Sequence, residues 1–274
     1  MVFWAHMEIL KKYWGWGIAA LVLIVGGYML AHKAPDNVLS PGENSASSTP
    51  TGLATSTDTT SGNRPGSGST AAAQFQVDKA DAIASWTFKG TGMGNITLET
   101  QANADIDTLT KLLGKGTYDD YDLYNGIAND YTTLGNGAMA YHYYNLAVAI
   151  HPARGLVYMN LGHLFSLLGA EHTAVNAYAK AVAVEPKQIA YWLAYLDFLE
   201  SSQPKSALTA SVFASAITAT NANPDVLISE ANWLESIGRI NDAIAAWQKV
   251  RPNVGADQQA AIDAKIQKLQ AKLY

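Results

Sequence analysis

The sequence predicts an all-α solenoid of stacked helical hairpins, and three observations carry that prediction. The first is a self-similarity: Tyr124, Ile127, Ala128, Tyr131, Gly135, Ala140, Tyr144, Ala147 and Pro152 recur 34 residues later as Tyr158, Leu161, Gly162, Phe165, Gly169, Ala174, Tyr178, Ala181 and Pro186. The second is that weaker copies follow at nearly the same spacing, with Ala181, Ala216 and Val250 separated by 35 and 34 residues. The third is that Ile262, Ile266, Leu269 and Leu273, beyond the last copy, share one helical face, as an end cap requires. A fixed period of this length marks units that each leave an apolar face bare until a neighbour covers it.

Residues 1–12 are expected to be a short cytoplasmic segment, followed by a transmembrane signal anchor at 13–31. That stretch, YWGWGIAALVLIVGGYMLA, carries no charge, and about 19 residues at ~1.5 Å each nearly span the hydrocarbon core. Trp14, Trp16 and Tyr28 lie near its ends, where interfacial aromatics belong. Lys11 and Lys12 before the span, against Lys33 after it, keep the amino terminus inside and place the bulk of the chain outside the cytoplasm. A cleaved signal peptide is the rival reading. The run is long for one, and the candidate cut after Ala34 has Lys33 beside it and Pro35 following.

Residues 32–74 are rich in Ser, Thr, Gly and Pro and cannot bury enough apolar surface to offset the entropy of ordering. They are expected to be a disordered tether with a root-mean-square reach of roughly 35 Å. Over 75–118 the sequence predicts a short extended piece at Trp86, Thr87 and Phe88, then a capping helix carrying Ile106, Leu109, Leu112 and Leu113.

Four repeats fill 119–253, with units at 121–154, 155–188, 189–223 and 224–253. Alternating large and small residues let a ring on one helix meet a close backbone on the next: Tyr124, Tyr131 and Tyr144 are knobs, and Ala128, Ala140 and Ala147 are holes. Gly135 and Gly169 end first helices, since glycine takes the left-handed conformation at little cost. Pro152 and Pro186 lie beyond second helices that they cannot extend. The third unit has Trp192, Tyr195, Leu199, Phe213 and Ala216, and the fourth has Leu227, Ala231, Leu234, Ala243, Trp247 and Val250. The extra residue of the third unit is placed in the turn at Ser202, Gln203 and Pro204, with Pro204 expected at the first position of the next helix. Leu196 stands where a small residue is expected and predicts a shifted packing angle. Residues 256–274 form the closing helix.

The order Trp/Tyr, Leu, Gly/Ala, Tyr/Phe, Ala, Phe/Tyr, Ala, Pro resembles the tetratricopeptide repeat family. Both strong copies match it, with Ile127 in place of Leu, and the resemblance covers about 121–253. It implies a right-handed superhelix in which the first helix of each hairpin lines a concave groove that binds a protein or peptide. The matching offsets give Asn125 and Asn129, Met159 and His163, Leu193 and Asp197, and Ile228 and Asn232. Asn129, His163, Asp197 and Asn232 form a polar ladder on that reading. Members that grip acidic carboxy termini use groove Lys and Arg, which this ladder lacks. Glu200 and Glu235 make the groove neutral to acidic, suited to polar, apolar or basic segments.

Composition and motifs exclude several classes. A net charge of −5 argues against a nucleic-acid partner, and the absence of cysteine excludes disulfides, zinc–thiolate sites and thiol catalysis. Gly90-Thr91-Gly92-Met93-Gly94 lacks the Lys-Ser/Thr of a phosphate loop and reads as a turn. The six histidines show no metal-ligand spacing, and Asp119 and Asp120 read as helix-terminus charges. No cofactor, metal or catalytic activity is expected. The reading is a single-pass membrane protein with an extracytoplasmic interaction scaffold that binds or assembles envelope or secreted proteins. The alternatives are a self-associating structural module and a hydrolase using groove carboxylates with His163.

Overall fold

The computed structural model describes residues 74–273. The expected cytoplasmic segment at 1–12, the expected anchor at 13–31 and all but the last residue of the expected tether lie outside the described residues, and among the described residues no helix is long and apolar enough to cross a membrane.

The chain enters as an extended strap, residues 74–92, and then runs through α1 (Ile96–Leu112), α2 (Asp120–Thr133), α3 (Gly137–Ile150), α4 (Gly155–Leu167), α5 (Glu171–Val184), α6 (Ile189–Ser202), α7 (Ala207–Ala219), α8 (Pro224–Ser236), α9 (Ile240–Val250) and α10 (Ala256–Gln270). A 3-10 turn, Arg251–Asn253, joins α9 to α10. The described residues are thus all-helical apart from the strap and the turns. Helices α2–α3, α4–α5, α6–α7 and α8–α9 pair as hairpins, α1 packs on α2, and α10 packs on α9.

Each hairpin turns for a local reason. Gly135, Gly169 and Gly238 have φ of 76°, 70° and 81°, and the following amides bond back to Tyr131, Phe165 and Leu234 carbonyls at 2.9 Å. This closes the orphan carbonyls of the first helix. Small residues then permit close approach between the paired helices. A Cβ on Gly162 would stand 2.7 Å from the Tyr178 ring, and Ala128, Ala140, Ala147, Ala174 and Ala181 are all fully buried. Tyr144, Tyr158, Phe165 and Tyr178 are buried as well. Tyr124 and Tyr131 are only half-buried and pack on Tyr143, with the Tyr131 ring stacked at 5.7 Å. Pro152 and Pro186 lie between hairpins, where their carbonyls accept the Tyr158 hydroxyl at 2.9 Å and the Trp192 indole N–H at 2.7 Å.

The third hairpin departs from the others. Its turn, Gln203 to Ser206, is four residues rather than three, so the extra residue sits there. Pro204 is in the turn and not at the start of α7: Ser206 caps that helix, and the Pro204 carbonyl accepts the Trp233 indole N–H at 2.7 Å. Leu196, fully buried, occupies the place of Ala128 and Gly162. Helices α6 and α7 touch along much less of their length than the other three pairs. A bulky side chain wedged where the first two hairpins have Ala or Gly holds the partner helix away.

The strap ties the first two hairpins together. Thr87 forms an antiparallel bridge with Asn136, and the Gly137 amide donates to the Trp86 carbonyl at 2.8 Å. The Tyr141 hydroxyl donates to the Phe75 carbonyl at 2.6 Å, and Asn145 accepts the Phe75 amide at 2.7 Å. Phe75 and Trp86 insert against Tyr158, Phe165 and Tyr141. Gly90 then runs so close to the α2–α3 turn that a Cβ would collide with the Thr133 carbonyl. The glycine run is a packed turn.

Candidate protein-binding groove

Each first helix touches the first helix of the next hairpin, so α2, α4, α6 and α8 present one continuous face. The offsets along them make two rows. Met159, Leu193 and Ile228 form a half-buried apolar row, and His163, Asp197 and Asn232, one helical turn further along, are exposed.

The first rung is engaged within the protein. Asn125 is 2% exposed and accepts a hydrogen bond from Asn160 at 3.0 Å, so it joins α2 to α4. Asn129 accepts the Tyr144 hydroxyl at 2.6 Å and joins α2 to α3. The buried Asn125 oxygen and the buried Tyr144 hydroxyl each find a partner here, because leaving a buried polar group unpaired costs more than the bond itself contributes. The groove position predicted for Asn125 is therefore corrected, since it is buried between α2 and α4; Asn129 is half-buried and commits its side-chain oxygen to Tyr144.

The last rung is also occupied. The Asn232 carbonyl oxygen accepts from Lys265 Nζ at 3.1 Å, and Glu235 pairs with Lys265 at 3.1 Å and Lys272 at 3.5 Å. Helix α10 thus adds a further rung carrying the cations absent from the four-repeat ladder. Lys265 also lies 4.5 Å from the centre of the Trp247 ring. Between α8, α9 and α10 is a shallow cleft of about 220 Å³, lined mainly by Ile228, Trp247, Val254, Ala261 and Ile262.

The middle of the face is open. His163, Asp197 and Leu167, the last 37% exposed, lie at its surface. The groove walls hold the His163 pKa below the usual histidine range by desolvation, with Asp197 pulling it partly back. The ring's exposed surface governs, so water screens most of this effect. Burial raises the Glu200 carboxyl pKa, a hydrogen bond from Ser229 at 2.9 Å opposes the rise, and Asp197 adds to it. Asp197 makes no ion pair among the described residues.

The other candidate chemistry resolves into structure. Asp119 caps α2 by accepting the Tyr121 amide at 2.9 Å, and Asp120 accepts the Gly114 amide at 2.9 Å. Arg154 bridges Asp119 and Asp122 at 3.4 and 3.1 Å and covers the Tyr121 ring at 3.9 Å. Among the described residues no cluster of three or more His, Cys, Asp or Glu could hold a metal ion.

No protein-family model matches the chain, and no curated protein matches it. Similar solved structures include TTC0263, a thermophilic TPR protein of Thermus thermophilus, at 16% identity, with 64% of this chain and 94% of that chain covered and a TM-score of 0.42. MamA AMB-1 is similar at 15% identity over 61% of this chain and 95% of its own, TM-score 0.41. MamA residues 41–end from Desulfovibrio magneticus RS-1 gives 18% over 57% and 97%, TM-score 0.39.

Proposed function

We propose that the chain is a non-catalytic protein-interaction scaffold that binds its partner on the face of α4 and α6, held at a membrane by residues 13–31 with the solenoid on the extracytoplasmic side. The observation that carries the reading is an asymmetry of coverage. The strap packs on α3 and caps α5, α10 packs on the last hairpin, and His163, Leu167 and Asp197 on α4 and α6 are left exposed. A hydrolase would need a nucleophile and base in hydrogen-bond reach, and among the described residues His163 has no such partner.

The test is crosslinking and capture with the full chain in native membranes, beside a variant carrying His163→Ala, Leu167→Ala and Asp197→Ala. Asn129 and Asn232 are left intact because they hold Tyr144 and Lys265. A partner held by the parent and lost from the folded variant supports the face. Identical capture by both overturns it, and a mass that rises with concentration in the absence of any partner favours self-association. Topology has its own test, since the chain has no cysteine: a single exposed Asn241→Cys should react with a membrane-impermeant thiol reagent on intact cells.

A further inference from the structure

We propose that the open face selects a cationic, apolar-anchored peptide segment: a Lys or Arg seated on Asp197 and Glu200, and one branched or aromatic side chain in the cleft of Ile228, Trp247 and Ile262. The proposal deepens the groove reading above and rests on it.

Charge complementarity identifies the occupant. Glu235 is neutralised by Lys265 and Lys272, and Asp122 by Arg154. Asp197 has no cation among the described residues, and Glu200 is held only by the neutral Ser229 hydroxyl. The desolvated carboxyl of Glu200 and the exposed one of Asp197 stand on the same helix, one rung before the cleft, so a partner cation would settle both. Opposite charge here selects and steers more than it adds affinity.

The cleft supplies the second anchor. It is almost wholly apolar, with Gln258 and Lys265 as its polar lining residues, holds Ile228 of the apolar groove row in its wall, and is large enough for one side chain. Trp247, 5% exposed, lines it, and its indole N–H has no hydrogen-bond partner among the described residues. That N–H is itself sealed from solvent, so the cleft offers a partner its apolar walls rather than a hydrogen-bond donor. Buried apolar anchors of this kind carry most of the energy of peptide recognition, while polar rims set the register. Neighbouring helices lie about 8–10 Å apart, which an extended chain at ~3.3 Å per residue crosses in about three residues. The segment therefore reads as a basic residue and an apolar anchor three positions apart.

Fluorescence anisotropy of the full chain in detergent, with a labelled Ser-Arg-Ala-Ser-Phe-Ser peptide, tests this. Binding is expected to weaken about tenfold or more when the peptide Arg becomes Glu, when its Phe becomes Ser, in the Asp197→Lys protein, and in Ile228→Ser. High salt is expected to weaken it as well. The two peptide changes need no altered protein, so misfolding cannot mimic them. Equal binding of the Arg and Glu peptides, or no binding of any peptide, overturns the proposal. If the membrane capture experiment still shows loss in the triple variant, only the partner class has failed; if that loss is absent too, the groove itself is not the binding face.

Discussion

Gly162 and Asp130 show how single residues set the terms of packing here. The Tyr178 ring that faces Gly162 cannot retreat, because it is stacked on Tyr195 at 5.7 Å and packed on Phe198 at 5.4 Å. Gly162→Ala should therefore cost about 1–3 kcal/mol through overpacking, read as a lower denaturant midpoint with an unchanged slope. Asp130, on α2, is pushed up to about 7 by burial, with Asp105 of α1 adding to the rise. A carboxyl that binds its proton more tightly folded than unfolded makes stability fall as pH rises, here from about 4 to about 7, after which the loss is complete. Asp130→Asn should flatten that fall and stabilise the protein at pH 8 by about 2 kcal/mol, with little effect at pH 4. Urea titrations of both forms at the two pH values check it. A parent whose stability is flat across that range would contradict the assignment.

Among the elements, the strap and α5 depend on one another. Helix α5 begins after Ala170, which offers no side-chain cap, and Asp81 of the strap supplies one from 92 residues away. Its carboxylate accepts the Thr173 amide at 2.6 Å, the Thr173 hydroxyl at 2.6 Å and the His172 amide at 3.3 Å. Burial alone would raise the Asp81 pKa; these bonds and that to the His172 ring outweigh it and hold it below the usual range. Stability from Asp81 is thus present above the ordinary aspartate pKa and is lost as pH falls through the depressed folded value. Asp81→Ala should cost about 1–2 kcal/mol, the range for a lost cap. It should speed hydrogen exchange at Phe75, Phe88 and Thr173 while leaving α8 and α9 unchanged. Uniform acceleration along the chain would mean that the strap is not a separate cooperative piece.

Across the whole array of described residues, each hairpin meets only its neighbours, so stability is a sum of units and interfaces that the weakest link divides. That link is the α6–α7 hairpin, splayed by Leu196. Amides of α7 should exchange sooner than those of α5, whose Tyr178 packs on Tyr195 and Phe198 and whose start is held by Asp81 of the strap. Exchange in the reverse order would place the weak link elsewhere. An opening at α7 lies beside the face that carries Asp197, so partner binding there should slow α7 exchange more than that of any other second helix.

The all-helical array, the positions of its glycine stops and the longer third turn were legible from the sequence because each depends on a pattern within one period: an aromatic facing a small residue, a glycine at a left-handed turn, a proline after a helix. Which of the groove polar groups are already engaged was not, because that is decided by partners on other helices. Asn125 is covered by Asn160, Asn129 is taken by Tyr144, and Asn232 by Lys265, 33 residues on. The strap's destination was equally hidden, since Phe75 and Asp81 find Asn145 and Thr173 across 70 and 92 residues. Sequence period fixes which residues share a helix face; only the stacked structure decides which of those polar groups have already found a partner and which, like Asp197, still face solvent.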